Sequence, residues 1–311
     1  MTKLKLIFAG SGEFGLPTLR RLMADGHEVV RVFTQPDRPA GRGRQLTPTP
    51  IGAFAADAHL PLTATANINA ETPVDADAMV VIAFGQKIGE AVVHRPRMGS
   101  INLHASRLPA YRGAAPIHWA ILGGETVTGN SVIRLAQKMD AGAVLGQSRV
   151  TIGEMETTGE LHDRLATDGA PLVAQVLAEL AAGTAVERQQ DETLATLAPK
   201  LNREVSLIDF TQPAGKVART IRGLYPWPGC RAHLVDRNGK ATATVTLVRA
   251  RPHEQATGLV PGTIDATGHV VTAGGTVEIV ELQPQGKRPM PLTDFRNGHA
   301  WEAGMTLVAV G

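Results

Sequence analysis

Along the first half of the chain, short apolar runs alternate with stretches in which apolar positions recur every three or four residues. The runs at residues 4–9, 28–34, 79–83 and 100–103 predict strands. The helical periods at residues 13–25, 52–59 and 88–93 predict the helices between them. That alternation implies βαβ units, a mostly parallel sheet and right-handed crossovers. A long amphipathic helix pattern at residues 157–182 closes the region. Between about 183 and 203 the periodicity weakens, and a linker is expected at 186–203 between a domain over 1–185 and another over 204–311. The second region opens with a helix pattern at 214–223. Short Val- and Thr-rich runs follow, punctuated by Arg237-Asn238-Gly239, Pro261-Gly262, Thr267-Gly268 and Gly274-Gly275. Strands spaced this closely predict a small antiparallel β-barrel.

Composition agrees with two soluble domains. The chain has 311 residues, 43% hydrophobic and 19% charged, and no apolar run approaches the roughly 20 residues that cross a bilayer. A strand pattern begins almost at once, so no presequence is expected and no membrane partner is assigned. Cys230 is the sole cysteine. It cannot form an internal disulfide, fits a reducing cytosol, and is read as a buried small hydrophobe. The net charge of +2 conceals an uneven distribution. From Lys216 to Arg251 eight basic residues face one acid, Asp236, and a loop at 35–50 carries Arg38, Arg42 and Arg44 against Asp37. Lys216, Arg219 and Arg222 fall on the predicted 214–223 helix. Such clusters point to a polyanion, and guanidinium forks suit phosphate.

The candidate chemistry lies where the residue 100–103 run stops. Asn102 and His104 are one residue apart, so an extended backbone places both side chains on one face, at a carboxyl end where parallel sheets bind ligands. Asp140 follows about forty residues later, before Ala141-Gly142. An amide, an imidazole and a carboxylate can polarise a carbonyl and move the protons of an acyl transfer. Residues 10–15, GSGEFG, match a dinucleotide fingerprint in form. The second strand ends at Phe33-Thr34-Gln35 without an acid for a ribose hydroxyl. The motif is therefore read as a tight turn into a helix, and no nicotinamide is expected. Ten histidines show no metalloprotease-type pair and no cysteine partner set, so no metal is expected.

The spacings N-x-H-x-S-x-L-P (102–109), Y-R-G-A-A-P (111–116) and D-x-G (140–142) resemble the folate-dependent formyltransferases. Residues 33–50, 113–117, 200–229, 261–264 and 282–287 are similar to the methionyl-tRNA branch of that family, so the resemblance covers nearly the whole chain. It implies a Rossmann-like catalytic domain followed by an oligonucleotide-binding (OB-like) barrel that binds tRNA. It implies transfer of formyl from 10-formyltetrahydrofolate to the methionyl amine of initiator tRNA. The family's triad falls on Asn102, His104 and Asp140, and its folate turn on Ser106, Arg107, Leu108 and Pro109. The pterin cleft is assigned to Phe84, Gly85, Gln86, Lys87 and Ile88. The implied tRNA contacts are Arg38, Arg42, Arg44, Lys216, Arg219 and Arg222. A monomer in a bacterial cytoplasm is expected. Arg107 departs from the family's usual leucine, and residues 134–147 have a likeness to amino-sugar enzymes. A nucleotide-sugar amine or water as acceptor, a nicotinamide oxidoreductase, and an RNA-binding module with vestigial catalytic residues stay open at this point.

Overall fold

A computed structural model describes residues 2–40, 43, 45–255 and 257–310. They form two compact units. One takes in the chain up to Gly113 with Thr128–Val150 and His162–Ala198. The other takes in Ala114–Val127, Thr151–Leu161 and the chain from Pro199 onward.

The first unit is built on a seven-stranded sheet. In spatial order its strands are Val144–Gln147, Ser131–Arg134, Ser100–His104, Ala78–Ile82, Lys5–Gly10, Glu28–Thr34 and Leu62–Ala64. The last five pair in parallel, as the βαβ rhythm predicts. Every residue of Ala78–Ile82 is buried, which explains why that strand reads as an unbroken apolar run. The two short strands Ser131–Arg134 and Val144–Gln147, absent from the sequence reading, extend the sheet antiparallel beyond Ser100–His104. The helices Leu16–Ala24 and Pro50–Asp57 and the long Thr158–Ala182 lie close to their expected positions. The Pro-rich 35–50 segment, read as a loop, contains a two-stranded pairing of Arg38–Ala40 with Gln45–Thr47.

Strand order reverses between Lys5–Gly10 and Ala78–Ile82: the chain moves outward to Glu28–Thr34 and then returns to the other side. The carboxyl ends of those two strands therefore open a crevice where doubly wound sheets take their ligands. The Gly10-Ser11-Gly12 turn and the Phe84–Gly85 corner line it, joined by a hydrogen bond from the Ser11 hydroxyl to the Phe84 carbonyl (3.3 Å).

The second unit is an antiparallel sheet in the order Val270–Thr272, Gly275–Pro284, Ala241–His253, Cys230–Val235 and Thr306–Ala309. Bridges from Thr263 to Thr306 and from Ile264 to Val270 bring its two edges toward closure as a barrel. The Asn238-Gly239 and Gly274-Gly275 turns connect consecutive strands, as predicted. The helix Ala214–Gly223 plugs the sheet: Val217, Ala218 and Ile221 are buried with Cys230, Val245, Leu247, Ile279 and Leu282. Each fully buried aliphatic side chain contributes about 1.5–3 kcal/mol. The same burial pushes the Cys230 thiol up to about 12, so it stays protonated and inert at neutral pH. Among the described residues no helix is long and apolar enough to cross a membrane.

Candidate active site

The Ser100–His104 strand alternates as its sequence requires. Ile101 and Leu103 are buried on one face, while Ser100, Asn102 and His104 share the other. Asn102 is half-buried, and its side-chain amide makes no hydrogen bond among the described residues, which leaves both N–H groups for a ligand. His104 is 6% exposed. Its Nε2 lies 2.9 Å from the Tyr111 carbonyl oxygen, an atom that only accepts, so this nitrogen carries a proton. Its Nδ1 lies 3.6 Å from Oδ2 of Asp140. Both ring nitrogens thus face acceptors, and each N–H of an imidazolium has a partner. Donation from Nε2 to a reacting oxygen requires that proton to be shared with, or released from, Tyr111.

Asp140 reaches His104 from the excursion between Ser131–Arg134 and Val144–Gln147. Its backbone is left-handed (φ 52°), a conformation that short polar side chains tolerate best. Its Oδ2 accepts the Gly113 N–H at 2.9 Å. Two glycines make this approach possible. A Cβ on Gly113 (φ 129°) would stand 2.6 Å from the Ala198 carbonyl oxygen, and one on Gly142 would overlap the carbonyl of Arg134. The glycine of D-x-G is therefore a requirement of packing beside the sheet.

The segment predicted as linker does more than connect. Arg188 exchanges two backbone hydrogen bonds with Val144, and Leu197–Ala198 pairs in parallel with Arg112–Gly113. The Tyr111 N–H donates to the Thr196 hydroxyl (2.8 Å), fixing the residue whose carbonyl meets His104. Gln190 bonds the Asp140 and Gly142 carbonyls. Glu192 pairs with the buried Arg112 at 2.8 Å and also with Lys138. Hydrogen bonding to Arg112, then to Lys138, holds the Glu192 carboxyl at about 2. Sequence reading missed these residues, because amides and carboxylates in an aperiodic stretch carry no local signal.

The Ser106–Pro109 turn leaves the same strand and is tied down tightly. The Ser106 hydroxyl donates to the Ala110 carbonyl (2.6 Å) and its own carbonyl accepts from Ser131 (2.7 Å). The Leu108 N–H donates to Ser131 (3.0 Å) and the Leu108 carbonyl accepts from Gln147 (2.8 Å). Leu108 is buried, and Arg107 is exposed.

Residues 3–177 match the formyl transferase family model and residues 200–300 the formyl transferase C-terminal domain. A methionyl-tRNA formyltransferase of Acidobacterium capsulatum is 41% identical over 95% of this chain and 97% of its own, and one of Phenylobacterium zucineum is 39% identical over 98% and 100%. This chain belongs to the methionyl-tRNA formyltransferase family. The fold is also that of a sugar 3N-formyl transferase crystallised with dTDP and 5-N-formyl-THF, at 15% identity and a TM-score of 0.66 over 93% of this chain and 100% of that one. An enzyme of formyl transfer follows for the family member described here.

The remaining expected site residues of this formyltransferase family member fall in three places. Phe84 is buried at the switch-point crevice and Gly85 (φ 76°) turns beside it, while Lys87 is exposed and Ile88 packs on the apolar cluster under the sheet. The Gln86 amide is engaged within the protein, accepting from the Ile68 N–H (2.9 Å) and donating to the Thr65 carbonyl (2.6 Å). Arg38 is exposed on the short pairing and bonds Gln35; Arg42 and Arg44 lie outside the described residues. Lys216 is exposed and Arg219 half-buried. Arg222 is 9% exposed, and its guanidinium donates to the Glu156 carbonyl (3.1 Å).

Proposed function

We propose that this protein transfers the formyl group of 10-formyltetrahydrofolate to the α-amino group of methionyl initiator tRNA, as a monomer in a bacterial cytoplasm. The convergence of Asn102, His104 and Asp140 at the carboxyl edge of the sheet carries the reading, together with full-length kinship to methionyl-tRNA formyltransferases. A model α-amino group titrates near 8, and esterification of the carboxyl to tRNA lowers that by electron withdrawal, so a useful fraction is neutral at physiological pH. The amine nitrogen attacks the formyl carbon, and the carbonyl oxygen gathers negative charge. The unpartnered Asn102 amide donates to that oxygen, joined by His104 through the N–H it lends to Tyr111 in the resting site. Asp140 passes the ammonium proton, through water, to folate N10 as the C–N10 bond breaks. The clamped Ser106–Pro109 turn and the Phe84–Ile88 corner receive the folate, with backbone groups of the turn already in place. Arg38, Arg42, Arg44, Lys216 and Arg219 contact tRNA phosphates.

The test is formylation of purified methionyl initiator tRNA with 10-formyltetrahydrofolate, read by acid-gel shift, for the protein and its His104→Ala variant. The protein should turn over, and the variant should lose on the order of 10²–10³ in rate, the typical cost of one oxyanion donor. Transfer by the protein to a nucleotide-sugar amine but not to methionyl-tRNA would overturn the acceptor assignment.

A further inference from the structure

Gln190 sits in the aperiodic segment between the long helix and the second unit, yet every polar atom of its side chain is committed to the active site. Its Nε2 donates to the carbonyl of Asp140 at 2.7 Å and to that of Gly142 at 2.8 Å. Its Oε1 accepts from Nε (3.1 Å) and Nη2 (2.7 Å) of Arg112. This orientation of the amide is the only one that satisfies all four bonds, because a flipped amide would set N–H groups against a guanidinium and an oxygen against two carbonyls. Arg112 is itself 4% exposed and anchored by Glu192. One neutral side chain therefore spans both sides of the site: the loop that brings Asp140 to His104, and the Tyr111–Gly113 stretch that supplies the Tyr111 carbonyl and the Gly113 N–H.

We propose that Gln190 is a positioning residue that holds Asp140 against His104 by gripping the backbone carbonyls of Asp140 itself and of Gly142 just after it. The proposal rests on the catalytic role assigned to Asp140 above. Asp140 (φ 52°) lies in a left-handed region that L residues seldom adopt, so its conformation needs support from outside the turn. Ala141 contributes only a 3.2 Å backbone bond to Lys138 within the loop. The two bonds from Gln190 pin the Asp140 carbonyl and the Gly142 carbonyl that follows it, and the Asp140 carboxylate is then fixed at its far end by Gly113. A shift of about 1 Å in a reacting group can cost on the order of 10²-fold in rate. Neither a carboxylate nor a hydroxyl can replace the amide: it must donate twice to carbonyls and accept twice from a cation at once.

The experiment compares the protein with Gln190→Ala and Gln190→Glu in two measurements. In steady-state formylation, both variants should lose 10- to 100-fold in kcat with KM for folate and for tRNA within about twofold. Gln190→Glu keeps the acceptors for Arg112 but loses both donors to the carbonyls, so it should not rescue. Recovery of full kcat by Gln190→Glu would assign the effect to Arg112 pairing and overturn the proposal, as would an unimpaired Gln190→Ala. The second measurement needs no substrate: hydrogen exchange of the Gly113 amide, which is protected by the Asp140 carboxylate. Exchange should quicken at least tenfold in both variants while the neighbouring Val132 and Leu103 amides of the sheet keep their rates. Unchanged Gly113 exchange would overturn the proposal even where the acceptor assignment failed. Absence of wild-type transfer to methionyl-tRNA, with Gly113 exchange quickened, would instead count against the proposed function alone.

Discussion

Gly142 explains why an acid at position 140 is followed by a glycine two places on. The loop must pass so close to the Arg134 carbonyl that a single methyl group has no room, and only that closeness lets Asp140 stand 3.6 Å from His104. Gly142→Ala should therefore destabilise the protein by about 1–3 kcal/mol, the usual cost of forcing atoms into a packed interior. It should also depress formylation more than its stability loss explains. Urea unfolding and initial rates on the same preparation check this, and a variant of unchanged stability and rate would refute the close packing. The individual site residues differed in how legible they were. Asn102 and His104 were legible because a strand places alternate side chains on one face, a rule that needs no knowledge of neighbours. Asp140 was singled out as the acid before Ala141-Gly142, and the D-x-G resemblance gave it a place in the triad. Gln190 was invisible, since its three partner residues lie 48–78 positions away in sequence and nothing about a glutamine in an irregular stretch announces them.

Helices and strands with a clear period were recovered to within a few residues: Glu28–Thr34 and Ala214–Gly223 have the bounds their patterns predict. Apart from the helix Glu90–Val93, the first unit's elements of two to four residues escaped, because so short a run cannot display a period. The Ser131–Arg134 strand, which carries the register partners of Asn102 and His104, is one of them. In the barrel, the long Ala241–His253 strand is secured by Arg249, which donates to Glu160 (2.6 Å) and Glu281 (2.7 Å). Hydrogen bonding to Arg249, then to the Thr157 N–H and hydroxyl, outweighs burial and holds Glu160 at about 2 rather than 4.5. A carboxyl depressed by folding contributes stability that is fully present above about 4.5 and is lost as the pH falls through about 2. Glu160→Gln should thus be less stable than the parent at pH 7, and the difference should fade across that window. Because Glu160 is nearly half exposed, solvent screening keeps the effect modest. Denaturant midpoints at pH 7, 4 and 2.5 give the comparison, and a gap that persists undiminished at pH 2.5 would rule the pair out as its source.

The charge of the assembled protein differs from the charge read along the chain. The stretch from Lys216 to Arg251 looks strongly basic, yet acids from other segments meet it. Glu160 and Glu281 take Arg249, Glu278 takes Arg251, Glu302 stands 3.6 Å from Arg237, and Arg222 is buried. Lys216, Arg231 and Lys240 remain exposed, so the barrel offers fewer cations to a polyanion than the count implied. The 35–50 segment gains weight as a tRNA-binding element in consequence. Joint replacement of Arg38, Arg42 and Arg44 by alanine should raise KM for methionyl-tRNA and leave that for folate unchanged. It should also flatten the dependence of log KM on log salt, by about 0.9 for each duplex phosphate that the variant no longer neutralises. An unaltered salt slope would remove this segment from the interface.

Two periods, 2 for strands and 3.6 for helices, are local properties, and they sufficed to lay out a parallel α/β unit, an antiparallel barrel and a shared face for Asn102 and His104. Motif spacing added the family and, with it, the reaction. What local rules cannot carry is closure between segments far apart in the chain. The meeting of Asp140 with His104, the grip of Gln190 on the Asp140 turn, the burial of Arg222 and the neutralisation of Arg249 all depend on it. Each joins residues at least 32 positions apart, and its energy exists only once the sheets have packed.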